Sequence, residues 1–144
     1  FLTFALLIIT ILSNVFINAS PILSEKRKAG AVAFATFDSD GDVKRVSGEV
    51  HFTQSSKTFT YITGQFNTGF ISRDRNDYEF LIIDNSNNVI FDFTNQIRNQ
   101  LSFNRPGTGP FKFNERLQVR DLKGLIIIVV FGNKEIGDAR IKLV

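Results

Sequence analysis

After Gly124 the chain reads Leu125-Ile126-Ile127-Ile128-Val129-Val130-Phe131, seven large apolar residues without a polar break, and then meets Gly132-Asn133. An apolar run of that length, rich in β-branched residues and ended by a two-residue turn pair, predicts a strand buried on both faces and turned by a hairpin into a second alternating run that reaches Val144. The rest of the fold should grow around this central strand. Upstream the period is two. Residues 31–37 predict a first strand. Asp40-Gly41 supplies turn residues that tolerate positive φ, and 43–53 predicts a second strand with Val46, Gly48, Val50 and Phe52 on one face. Residues 58–66 and 78–84 predict two more, and the Asn-rich stretch 85–88 turns the chain into 89–93.

Residues 94–105 fit either a short helical turn or an edge strand, and the Pro-Gly-Thr-Gly-Pro stretch 106–110 should interrupt regular structure. Short alternations in 111–119 then lead back to the central strand. About eight strands with turn signals every eight to twelve residues, and almost no helical period, predict an all-β, antiparallel sandwich or barrel. Thirteen of the sixteen phenylalanines follow residue 20. Each can bury roughly 150 to 250 Å², so aromatic burial is the expected source of stability.

The N-terminus follows a different pattern. Residues 1–17 are apolar and uncharged and lead into Asn18-Ala19-Ser20-Pro21, where small residues suit a signal peptidase. We expect 1–19 to be a signal peptide that lacks its initiator Met and positive n-region, cut after Ala19. A retained anchor is the alternative, but the stretch is short of the roughly 20 residues a spanning helix needs, and Ser13 and Asn14 interrupt it. The sequon Asn18-Ala19-Ser20 straddles the cut. Residues 20–29 read as a linker whose Lys26-Arg27 pair suits a processing protease of the secretory pathway, and 30–144 as one domain. The expected location is extracellular, with no membrane contact after cleavage.

Composition narrows the chemistry. The absence of cysteine excludes disulfides, thiol catalysis, iron–sulfur clusters and cysteine zinc sites, and a single histidine, His51, leaves copper and zinc short of their commonest ligand. The 17 basic and 14 acidic residues give a formal charge of +3 with no block of like charge, so Arg73, Arg75, Arg98, Arg105, Arg116 and Arg120 read as solvated surface and no nucleic-acid partner is expected. Asp38, Asp40 and Asp42 alternate as in a calcium loop, but Gly41 falls before the third aspartate and no Glu closes the loop. His51 shares the face of Arg45, Ser47, Glu49 and Thr53, opposite Val46, Val50 and Phe52, which alternation turns to solvent or to the sheet's other side; it has no nucleophile beside it. Gly107-Thr108-Gly109 lacks the Gly-Lys-Ser/Thr of a phosphate-cradling loop. Glu79 and Asp84 are too far apart along one strand for a glycosidase carboxylate pair.

Three segments in the same order resemble the copper/zinc superoxide dismutase family. Val46-Ser47-Gly48-Glu49-Val50-His51-Phe52-Thr53-Gln54 is similar to its V-x-G-x-I/V-x-F-x-Q strand. Ile62 to Gly69 followed by Tyr78-Glu79-Phe80-Leu81-Ile82-Ile83 is similar to its third strand, turn and H-G-F-H-V-H strand. Gly124 to Phe131, with Ala139-Arg140-Ile141, is similar to its G-R-x-x-V-V-H and closing strands. The resemblance implies a Greek-key β-barrel. On this alignment the family's copper-binding histidines become Leu81, Ile83 and Phe131, the zinc-loop histidines have no counterpart, and the disulfide cysteines are absent. The resemblance therefore implies the fold without the metals, and no catalytic, cofactor or metal residue is assigned. The expected function is binding, to another extracellular protein or to a second copy. The alternative is a carrier that holds a small apolar ligand in the barrel interior or a sandwich cleft.

Overall fold

The structure is a computed structural model that describes residues 30–144. The expected signal peptide 1–19, its sequon and the linker 20–29 with Lys26-Arg27 lie outside the described residues. The described chain forms β1 (Val32–Phe37), β2 (Ser47–Gln54), β3 (Thr60–Thr68), β4 (Tyr78–Ile83), β5 (Val89–Asp92), α1 (Thr94–Arg98), β6 (Phe103–Asn104) and β7 (Gly107–Thr108). It continues with β8 (Phe111–Glu115), β9 (Ile126–Phe131), β10 (Lys134–Arg140) and β11 (Lys142–Leu143). Eleven strands replace the expected eight or so because β6, β7 and β11 are two-residue pieces.

All pairings are antiparallel. A first sheet has the order β11-β1-β2-β3-β8, a second the order β10-β9-β4-β5, and β6-β7 forms a separate small ladder. The two large sheets face each other as a sandwich. Alternation decides which residues meet between them: Ala33, Ala35, Phe37, Val50, Phe52, Ile62, Phe66 and Phe111 from the first sheet, and Tyr78, Phe80, Ile82, Ile127, Val129 and Ala139 from the second, all buried. One edge is shared. β10 pairs with β9 in the second sheet, and after the buried Ile141 the chain continues as β11 beside β1 in the first. At the opposite edge α1 follows β5 and reaches across to β8. Gln96 donates to Glu115 at 2.8 Å, and Phe93 sits edge-on to Phe113 at 5.5 Å.

Several local expectations change. The second strand starts at Ser47, not 43, because residues 39–46 turn twice: the Asp42 amide donates to the Ser39 carbonyl and the Arg45 amide to that of Asp42. The third strand lies two residues later than expected. Residues 94–105 hold both alternatives, a helix and then a strand. Gly107-Thr108, expected to fall in a break, pairs with Phe103-Asn104 and lies along β3, where the Thr108 hydroxyl accepts from the Phe66 amide at 3.2 Å. The Asn-rich turn is as expected. The Asp84 carboxylate accepts from the amides of Ser86 and Asn88 and from the Asn88 side chain, at 2.8 to 2.9 Å, and these bonds hold it below the usual carboxylate range. Asn87 takes the positive φ of 64° that the turn requires.

The largest correction concerns β9. Ile127 and Val129 are buried between the sheets as expected, but Ile126, Ile128 and Val130 point away from the core and are only half-buried. The strand is interior to its sheet and apolar on both faces, yet only one face is covered by the described residues.

Candidate functional site

Two surfaces stand out, one on the outer face of each sheet. On the second sheet, register places Ile83 opposite Ile126, Leu81 opposite Ile128 and Glu79 opposite Val130. Ile83 also faces Val89 on β5, and Leu81 faces Asp92. On the other flank Arg140, Asp138 and Glu135 face Ile126, Ile128 and Val130. The outcome is an apolar stripe of Leu81, Ile126, Ile128, Val130 and Val89, the last 56% exposed, bordered by the exposed carboxylates Glu79, Asp92, Glu135 and Asp138. Its basic neighbours are engaged locally. Arg140 donates to the Gly124 carbonyl at 2.7 Å and to the Asn85 side chain at 3.3 Å, and Arg45 lies 3.8 Å from Asp138.

Two of the three positions where the resemblance puts copper-binding histidines belong to this face. Leu81 is on the stripe, and Ile83 closes one end of it at 7% exposure. Phe131 instead stands opposite Tyr78 at the inner edge, their rings 5.1 Å apart. None of the three side chains has a donor atom for a metal. Among the described residues no three His, Asp or Glu side chains come together where they could hold a metal ion.

The other surface lies on the first sheet. His51, Thr63 and Lys112 stand in one cross-strand row, continued by Phe34 on β1, and Glu49 and Gln65 form the next row. Gln100 and Pro110, the two ends of the segment that runs beside β3 and β8, wall an open cleft of about 640 Å³ whose floor is Glu49, His51, Thr63, Gln65 and Asn67, with Phe111 also in its lining. Two hydrogen bonds tie wall to floor: Gln65 Nε2 donates to the Thr108 carbonyl at 3.3 Å, and the Lys112 amide donates to Gln100 Oε1 at 3.0 Å. His51 faces outward as alternation predicts, with its Nε2 3.1 Å from Glu49 Oε2 and about half its side chain exposed at 49%.

The remaining sequence candidates serve turns and loops. Asp38 and Asp42 accept from the amides of Asp40 and Lys44, each at 2.9 Å. Glu79 belongs to the rim of the stripe, while Asp84 lies beyond the end of β4 in its turn. Arg98, read from the sequence as solvated, binds the carbonyls of Tyr78 at 2.7 Å and Asn76 at 2.9 Å, and Arg105 that of Ile71 at 3.3 Å. The interior is occupied by rings: Phe66 lies within 5.1 to 5.8 Å of Phe37, Phe70, Phe80 and Phe111. Sequence reading missed the cleft because its wall comes from the segment expected to be irregular. No helix of the described residues is long and apolar enough to cross a membrane.

No family model matches this chain, and no curated protein is similar enough to it to count as a relative.

Proposed function

We propose that this chain is a secreted, non-catalytic domain with a superoxide-dismutase-like Greek-key β-barrel, and that it works by docking a partner protein on the outer face of its second sheet. The observation that carries the reading is the uncovered apolar stripe of β9 and β4. An antiparallel sheet that faces water usually alternates apolar and polar positions, and a contiguous outward apolar patch with a polar rim is the mark of an interaction surface. The rim carboxylates of Glu79, Asp92 and Glu135, which form no ion pair among the described residues, point to the occupant: an extracellular protein that presents an apolar strip flanked by Lys or Arg. A second copy would set carboxylates against carboxylates, which disfavours self-association.

The barrel reading is supported by the path of the chain. After β3 the chain crosses to β4 and β5 in the second sheet, and β8, the next long strand, returns to lie beside β3 in the first, the connection a Greek key makes. The run β10-β11 joins the two sheets along one edge. The metal-free reading is supported by Leu81, Ile83 and Phe131 at the ligand positions. Elemental mass spectrometry of protein exposed to copper and zinc is expected to count neither metal in stoichiometric amount, and one copper per chain would overturn the non-catalytic assignment. An interior carrier is not favoured, because aromatic rings fill the space between the sheets.

The docking face is tested with two synthetic strand peptides of equal length, one alternating Val with Lys and the other Val with Glu. The Lys peptide is expected to bind and to weaken as salt rises, because the rim charges are exposed. Ile128→Lys, an outward position that leaves the core untouched, should weaken it about tenfold or more. Equal binding of both peptides, binding unaffected by Ile128→Lys, or a dimer at micromolar concentration would each sink the proposal.

A further inference from the structure

The cleft on the first sheet lies on the opposite side of the sandwich from the docking face, and its lining has a different chemistry. We propose that it binds a neutral, polyhydroxylated ligand, a saccharide of one or two rings. The lining mixes donors with acceptors and balances its charges. Glu49 offers a carboxylate, Lys112 an ammonium group, Thr63 a hydroxyl and Asn67 an amide, each of the last two able both to donate and to accept. Among the described residues the Thr63 hydroxyl and the Asn67 amide make no hydrogen bond, and Lys112 forms no ion pair. A sugar hydroxyl also donates and accepts, so such a ligand satisfies this set without leaving a partner unpaired. An anion would meet Glu49, a cation would meet Lys112, and a wholly apolar ligand would touch Pro110 and Phe111 but strip water from all four polar groups.

Size and rigidity agree with this class. A volume of about 640 Å³ falls within the usual range of roughly 300 to 1,000 Å³ for small-molecule sites. The floor positions project from paired strands, and neighbouring strands hold the row His51, Thr63, Lys112 at successive spacings of about 4.8 Å. The wall is fixed to that floor by the Gln65 and Gln100 hydrogen bonds, so the shape of the cleft is set before a ligand arrives. Pro110 and Phe111, which also line the cleft, offer apolar surface to the C–H face of a sugar ring.

The test is a ¹H–¹⁵N titration of the purified protein with glucose, N-acetylglucosamine and cellobiose, and in parallel with the charged glucuronate and glucosamine. At least one neutral sugar is expected to shift the amides of His51, Thr63, Gln65, Asn67 and Lys112 with saturation in the millimolar range. Thr63→Val and Asn67→Ala, both on the outer side of β3, should each weaken that sugar about tenfold. Spectra unchanged away from the cleft establish that these variants fold, and Ile128→Lys on the other sheet should leave sugar binding as it was. Absence of saturable shifts with all three neutral sugars, tighter binding of either charged sugar, or full affinity in both variants would overturn the proposal.

Discussion

Phe66→Ala is expected to lower the unfolding free energy by about 3 to 5 kcal/mol, one of the two largest effects of any single change in this protein. Phe66 is completely buried toward the C-terminal end of β3. Its ring stacks on Phe70 at 5.1 Å and on Phe80 of the facing sheet at 5.8 Å, meets Phe111 at 5.4 Å and stands edge-on to Phe37 at 5.6 Å. Truncation removes the hydrophobic transfer of a whole ring. It also opens a hole whose walls are other rings held on two sheets, which cannot close far around it. A domain without disulfides has a net stability of the order of 5 to 15 kcal/mol, so the loss is a large share of the total. Urea denaturation should show a lower midpoint with an unchanged slope. Phe59→Ala is the control, since Phe59 is 45% exposed and its loss should cost under about 0.5 kcal/mol. Equal midpoint shifts in the two variants would mean that the aromatic cluster does not hold the sheets together.

Much of this core could be read before folding, for a physical reason. Val46, Gly48, Val50 and Phe52 were expected on one face and all four are buried, because period two maps directly onto the two sides of a strand. His51 was expected outward on the same ground and is. The run 125–131 shows where such reading stops. With every position apolar there is no alternation left to say which face is covered, and the outward Ile126, Ile128 and Val130 cannot be told from the inward Ile127 and Val129. The cleft was out of reach for another reason. Thr63 and Lys112 meet only through a register between strands far apart in the chain, and the wall that makes the cleft comes from 100–110, where Gly and Pro read as a break. Gln54 is a similar case. It ends the segment that resembles a superoxide dismutase strand, but nothing local reveals that its side chain accepts from the Val119 amide at 2.8 Å while donating to the carbonyls of Ser56 and Phe59. These bonds fasten the turn after β2 to the chain that leads into β9.

Gly48→Ala is the second change expected to act strongly, and for the opposite reason: it adds an atom where none fits. Gly48 sits in the interior strand β2 with φ of 140°, a conformation L side chains rarely adopt, at a bulge where Ser47 pairs with Thr68 and Gly48 with Phe66. A methyl group there would run into the Gln65 carbonyl oxygen and lie 2.8 Å from the Phe66 Cα, and backbone in the middle of a sheet cannot move aside cheaply. The same row carries Phe37 on β1 and Phe66 on β3, one on each side of Gly48. With no side chain between them, the two rings reach each other across the strand in the edge-on contact at 5.6 Å. Alanine therefore adds backbone strain of about 1 to 3 kcal/mol and overpacking of about 1 to 3 kcal/mol, a combined loss of roughly 2 to 6 kcal/mol. Gly41→Ala separates backbone strain from packing, because Gly41 has φ of 82° but open space around it. Thermal unfolding should show Gly48→Ala falling well below Gly41→Ala, with the difference reporting the packing part. If the two variants melt together, the β3 backbone at Gln65 and Phe66 gives way to the added methyl group, and the packing part of the prediction fails.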